Sequence, residues 1–427
     1  MNRFRRVGMR TTTAHLILFV LASLMLPGLP ARPAAAEGVN RSDPLQIIVS
    51  LDEQRLRVFR GGLEIASSPI SSGKPGNDTP TGIFSILHKS KFHRSNQYSN
   101  SPMPWMQRLT WTGIALHESD EVPEFPASHG CVRLPAEFAK NLFDMTGVGE
   151  HVVIHAAPIA PAPINHRHLP QPAIRDAAPR DQWLSALLAG ASIAQTPRPS
   201  SAWTLAAVRD KLARSEAARK PVRVLVTWRS ARQRIGDIQA MLMRTGHYAG
   251  TLDGGLGRLT RESIARFKGE RGLTPANGDI DDAFLAALSA AAGVPAPKNG
   301  VMQVRLGFEP LFETQITIAD PGRPLGVHVF SAVQFDEAKA STRWQALTLD
   351  NRLGPVTRGI HGLDDRPPAS AAGTLDRLMV DQADMDRIRA LLAPGSSIIV
   401  ADAGQEKYTG WRTDFVVITR AEPAPKP

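Results

Sequence analysis

Residues 126–135 read PASHGCVRLP, and Cys131 within them is the only cysteine of a 427-residue chain. Structural cysteines are usually buried among apolar neighbours, whereas this one stands beside a histidine and a glycine in a turn-rich loop. A thiol at neutral pH is mostly protonated, so a nucleophilic cysteine needs a base or a positive neighbour. His129 lies just upstream, and His117 ends the strand-like run GIALHE (113–118). Gly130 lets backbone approach a substrate closely, and the amides around Cys131 are candidates for an oxyanion hole. Arg133 shares the strand face of the cysteine and suits bidentate binding of a carboxylate. His117 read alone is a packed strand-end histidine; beside the single thiol it becomes the candidate base. Together these residues point to acyl transfer through a thioester.

The motif sits in a block, residues 45–155, of short strand-like runs (LQIIVSL, RLRVFRG, IASSPISSG, TGIFSIL, GIALHE, HVVIHA) separated by Gly, Pro, Asn and Asp. Only PAEFAKNLFDMTG (135–147) has helical spacing, closed by Gly147. A mainly β domain with one helix is expected. Upstream, residues 1–36 carry Arg3, Arg5, Arg6, Arg10 and Arg32 and no acid, then an apolar run from Ala14 to Leu26, then Ala34–Ala36. That is the layout of a signal peptide, with a run too short to span a bilayer. Export, and no stable membrane span after cleavage, is the expectation. An oxidising compartment also makes an unpaired thiol a liability that catalysis would justify.

Downstream, residues 156–221 are rich in Pro and Ala with short helical stretches and read as a linker. Residues 222–293 read as a three-helix unit, with the glycine-laden turn AGTLDGGLGRLT between its first two helices. Residues 300–420 return to β character, giving an α+β chain overall. Within that region QVRLGFEPLFETQITIADPGRPLGVHVFSAV (303–333) has the layout of RVFRGGLEIASSPISSGKPGNDTPTGIFSIL (57–87), so a degenerate repeat and convergent hairpin composition both stand open. A repeat would lack the cysteine and its chemistry.

Half of the formal net charge of +10 lies in the first 36 residues, and no basic stripe interleaved with aromatics appears. Nucleic acid is therefore not an expected partner, while an anionic envelope polymer is. No metal-ligand frame and no phosphate-binding glycine loop occurs, so neither a metal nor another cofactor is implied.

TPTGIFSIL, GIALHE and PASHGCVRLP, in that order, resemble the signatures of the L,D-transpeptidase (YkuD-type) catalytic domain over residues 45–155. The resemblance implies a β-sandwich-like catalytic fold, with Cys131 as nucleophile and His117 as proton donor and acceptor. It gives Ser128, His129 and Gly130 a part in shaping the site. It also assigns Arg133 to the stem peptides of peptidoglycan, with terminal D-alanine released; because an acyl-enzyme can end on several amines, envelope proteins are further candidate acceptors. Glu118 departs from the Gly or Ser common in the family, and the spacer after His117 is shorter than in many members. Met103, Trp105 and Met106 occupy the place of the substrate-side loop; Met103 and Trp105 are its candidate contacts, with core packing as the alternative. Residues 236–291 resemble a type 1 peptidoglycan-binding module, in which Asp253, Gly254, Gly257 and Thr260 chiefly build the turn. Two other functions compete: a cell-wall cysteine hydrolase using His151 or His155, and a non-catalytic wall-binding scaffold.

Overall fold

In the computed structural model of the chain, residues 43–95, 100–172, 220–336, 338–351, 353–402 and 413–419 are described. The signal-like segment and most of the Pro/Ala-rich stretch lie outside them.

The N-terminal half is built from β1 (Leu45–Ser50), β2 (Arg55–Arg60), β3 (Leu63–Pro69), β4 (Gly82–Ser85), β5 (His88–Arg94), β6 (Pro102–Arg108), β7 (Ala115–Glu118), β8 (Val132–Leu134), α1 (Ala136–Met145) and β9 (His151–His155). β1 and β9 run parallel at the centre of one sheet, with β2 and β3 beyond β1 and β4 beyond β9. β5 to β8 form a second, four-stranded sheet. Ile47, Val49, Val58, Phe84, Val152 and Ile154 turn one face of the first sheet towards Leu116, Val132 and Leu134 of the second and Leu142 of α1. Ile48, Ile83 and Val153 turn the other way, yet they are equally buried. A strand covered on both faces reads as an unbroken apolar run, which explains why LQIIVSL shows little alternation.

What covers that second face is the C-terminal half. Its strands are β10 (Ala162–Ile164), β11 (Val222–Trp228), β12 (Gly300–Leu306), β13 (Glu309–Ile318), β14 (Val327–Asp336), β15 (Ser341–Leu349), β16 (Leu378–Met379) and β17 (Ser397–Ala401). They form one sheet in the order β10-β15-β14-β17-β11-β12-β13-β16. Leu225, Val329 and Ile399 meet Ile48, Ile83 and Val153 in a shared core. β18 (Val417–Ile418), from the same half of the sequence, pairs with β4 and becomes an edge strand of the N-terminal sheet.

Two boundaries differ from the sequence-based expectation. Val222–Trp228, expected to lead the helical unit, is instead a central strand paired with β12 and β17. Its buried apolar residues and β-branched content suit a two-sided strand better than a helix. The helices α2 (Ala231–Arg244), α3 (Arg258–Glu270) and α4 (Asp282–Ala292) are thus inserted in the connection between β11 and β12. The described part of the Pro/Ala-rich stretch is also not a free spacer. Ala162–Ile164 pairs with β15, Leu169 is buried in the C-terminal core, and Trp344 Nε1 donates to Pro170 O at 3.1 Å.

The helical unit has its own core of Ile238, Leu242, Ile264, Phe267, Phe284 and Leu288. Ser230 caps α2 in a reciprocal box with Gln233. The glycine turn is held by Gln239, which donates to Asp253 Oδ1 at 2.8 Å and accepts from Gly254 N at 2.9 Å. Gly254 has φ +67, and a Cβ there would lie 2.2 Å from Arg232 O. These residues build the turn.

Candidate active site

β7 and β8 run parallel with His117 opposite Arg133, so the candidate base and the candidate carboxylate ligand sit side by side. The Ser-His-Gly-Cys turn enters β8 and is closed by Ser128, whose Oγ donates to Cys131 O at 2.5 Å and accepts from Gly130 N at 3.1 Å. Gly130 has φ +108, and a Cβ on it would meet Ile114 Cδ1 at 2.9 Å, so the turn needs glycine on two counts. The segment after β3 clamps the turn from outside. Ser71 exchanges both backbone hydrogen bonds with Arg133, Lys74 N donates to Ser128 O at 3.0 Å, and Thr79 Oγ1 donates to Gly130 O at 2.8 Å.

Cys131 is half-buried and packs against Met103, Met106 and Ala115. With His117, Ser128, His129, Arg133 and Met103 it lines a cavity of about 520 Å³. The thiol points to Gly113 O at 3.4 Å. Burial pushes its pKa up, opposed by the Ala115 amide and by the charges of Arg108 and Arg133. Burial also drives the pKa of His117 down to about 4, against the Glu118 carbonyl, which favours the charged ring. His117 Nδ1 lies 2.6 Å from that carbonyl oxygen. A carbonyl can only accept, so Nδ1 carries the proton and Nε2 keeps a free lone pair. At neutral pH the resting pair is a thiol and a neutral imidazole.

Trp105, expected in the cleft, does not line it. Its backbone turns to φ +53, and its ring packs edge-on against Phe143 of α1 at 5.5 Å, in the catalytic core. Of the amides around Cys131 expected to form an oxyanion hole, that of Gly130 is already given to Ser128 Oγ. Neither His151 nor His155 reaches the cavity. His151 is buried against Arg223 and Asp414, and His155 Nδ1 lies 2.9 Å from Ala157 O. Sequence reasoning missed Arg108, His93 and Gly113, all on the cavity wall. Arg108 was within reach: Pro104, Met106 and Arg108 follow the period of two that puts alternate strand residues on one face.

Residues 44–154 match the family model of the YkuD L,D-transpeptidase catalytic domain, and residues 231–288 match that of a putative peptidoglycan binding domain. Among curated proteins the chain is similar to L,D-transpeptidase 1 of Mycobacterium tuberculosis, at 26% identity over 134 residues, which are 28% of this chain. The chain spans about half of that relative, 53% of its length. Among solved structures it is similar to an L,D-transpeptidase from Mycobacterium smegmatis (24% identity, TM-score 0.26, 27% of this chain and 59% of that one). A second is the L,D-transpeptidase of Xylanimonas cellulosilytica (26% identity, TM-score 0.25, 27% and 63%).

Proposed function

We propose that the protein is an exported, cell-wall-associated L,D-transpeptidase that cross-links peptidoglycan through a thioester on Cys131. The observation that carries this reading is the convergence of the single thiol, a neutral histidine with a free Nε2 and two arginines on one cavity.

The Cys131 sulfur attacks the carbonyl carbon before a terminal D-alanine of a stem peptide, and its proton passes to His117 Nε2. Because burial keeps both groups neutral at rest, the thiolate forms only as the S–C bond forms. Arg108 and Arg133 then stabilise the developing negative charge and orient substrate carboxylates. Collapse breaks the C–N bond, His117 returns the proton to the leaving amine, and D-alanine departs. An amine of a second stem, or of an envelope protein, attacks the thioester, loses its proton to His117 and restores the thiol. Ser128 and Gly130 shape the turn that presents the sulfur, Met103 forms the apolar wall beside it, and His129 borders the opening.

The hydrolase alternative needs His151 or His155 at the thiol, and both are engaged elsewhere. The signal-like N-terminus and the wall-binding domain support export to the periplasm. Muropeptide profiling of sacculi incubated with purified protein tests the proposal. New cross-linked species with stoichiometric free D-alanine are expected; released D-alanine without cross-links would instead mark a carboxypeptidase.

A further inference from the structure

Four strands of the C-terminal sheet repeat the pairing of four strands of the catalytic sheet. β1 pairs with β2 antiparallel and β9 parallel, and β4 joins β9 antiparallel; β11 pairs with β12 antiparallel and β17 parallel, and β14 joins β17 antiparallel. The registers coincide at one interval of 246 residues for β2, β4 and β9, while β1 and β11 are 177 apart because the helical unit is inserted after β11. Arg57 opposes Ile48 as Gln303 opposes Leu225, and Ile83 opposes Val153 as Val329 opposes Ile399. Helix α1 recurs as α5 (Gln382–Leu391), and the contact of Ser71 with Arg133 recurs as that of Thr317 with Met379.

At this register Arg377 stands where the first half has Cys131. Its guanidinium donates to the carbonyls of Ala319, Asp320, Arg323 and Pro324 at 2.7 to 3.0 Å. These belong to the counterpart of the segment that clamps the Ser-His-Gly-Cys turn. A cation tied to four carbonyls replaces the nucleophile, so this half has no thiol chemistry of its own.

What it does supply is a strand. β18 enters the catalytic sheet beside β4, and a Cβ on Gly82 would lie 2.2 Å from Val417 O. Thr419 N donates to Thr81 O at 3.0 Å, Thr81 Oγ1 donates to Thr419 O at 3.1 Å, and the two hydroxyl oxygens are 2.9 Å apart. Thr81 lies two residues from Thr79, whose hydroxyl accepts from Gly73 N and donates to Gly130 O, both at 2.8 Å. All three threonines are buried. We infer that the C-terminal half is a silenced copy of the catalytic domain that serves as its brace, with Thr419 as a positioning residue for the nucleophile turn. The inference rests on the proposed cysteine chemistry for its kinetic consequence, but not for its geometry.

The test compares full-length Thr419→Val and Thr419→Ser with the parent by kcat and KM on a soluble stem peptide, by the rate of Cys131 alkylation with iodoacetamide, and by thermal midpoint. Valine keeps the shape and the backbone pairing and loses only the hydroxyl. A misplaced reacting group costs rate rather than affinity, so Thr419→Val should lose about 10-fold in kcat with KM changed less than about 2-fold. Its alkylation rate should change too, and Thr419→Ser should restore both. Parent-like kcat and alkylation in Thr419→Val would overturn the inference, as would a loss that serine does not rescue. If the parent itself forms no cross-links, the proposed function fails while the alkylation comparison still reports on the brace.

Discussion

The state of the two central side chains at rest decides how the chemistry depends on pH. Burial lowers His117 to about 4 and raises the Cys131 thiol, so both are neutral across a wide window. The base is competent once deprotonated, so kcat/KM should rise with pH through a value well below the ordinary 6.5 of histidine and then stay flat past neutrality. A resting thiolate–imidazolium pair would instead give a narrow bell, and a pH–rate profile from 3.5 to 9.5 separates the two. His117→Ala should lose on the order of 10² to 10⁴ in rate, while His151→Ala should spare the chemical step because it touches nothing in the cavity. Loss of acylation on His151→Ala at unchanged stability would contradict the assignment. Cys131 was legible in the sequence as the proposed nucleophile because a lone thiol beside histidine and glycine is a local pattern, and His117 as its proposed base because it ends a strand-like run one loop away. The period of two placed Arg108 on one face with Met106, but that this face meets the thiol depends on how β6 pairs with β7.

At the scale of elements, β6 shows how one residue's backbone redirects a strand. Trp105 at φ +53 sends its ring to Phe143 and leaves Met103 and Met106 beside the thiol. Trp105→Ala should therefore destabilise the fold by about 3–5 kcal/mol, at the cost typical of a packed aromatic, while KM stays close to the parent value in the folded fraction. Urea denaturation and steady-state kinetics on one preparation distinguish this from a cleft role, which would raise KM at unchanged stability. Alternating apolar residues and turn-forming Gly and Pro made most catalytic strands readable. β11 was not read as a strand because its partners, β12 and β17, lie some 70 and 170 residues further along the chain. Its β-branched residues were the one local sign of a strand; the pairing that makes it central is non-local.

For the whole molecule, the two halves share one buried ionic junction. Arg223 on β11 reaches His151 at 3.0 Å, Gly149 O at 2.9 Å and Asp414 at 3.4 Å. Burial alone would raise the Asp414 carboxyl, but Arg223 and His151 outweigh it and hold its pKa down; burial, then Arg223, lowers that of His151. Both depressed groups add stability above their unfolded pKa values and lose it as pH falls, so acid should loosen the junction from about pH 6.5 downward. Arg223→Met strands a buried carboxylate and should cost about 3–5 kcal/mol, read as a lower urea midpoint for the chain. The inserted helical unit leaves and rejoins the sheet where Trp228 pairs with Gly300. Replacing 229–299 by a short turn should therefore keep the fold, abolish co-sedimentation with sacculi and spare turnover of soluble stem peptides. Equal losses on both substrates would mean that the helices support the catalytic half instead of holding it to the wall.

The central claim is a covalent one, and intact-protein mass spectrometry tests it most directly. Parent protein mixed with a soluble stem peptide ending in D-alanine and quenched in acid should gain the mass of that peptide less one alanine, on the fragment containing Cys131. Cys131→Ala should gain nothing while unfolding within about 1 kcal/mol of the parent, as expected for a small change outside the deep core. An adduct on any other residue, or turnover by Cys131→Ala, would contradict the account.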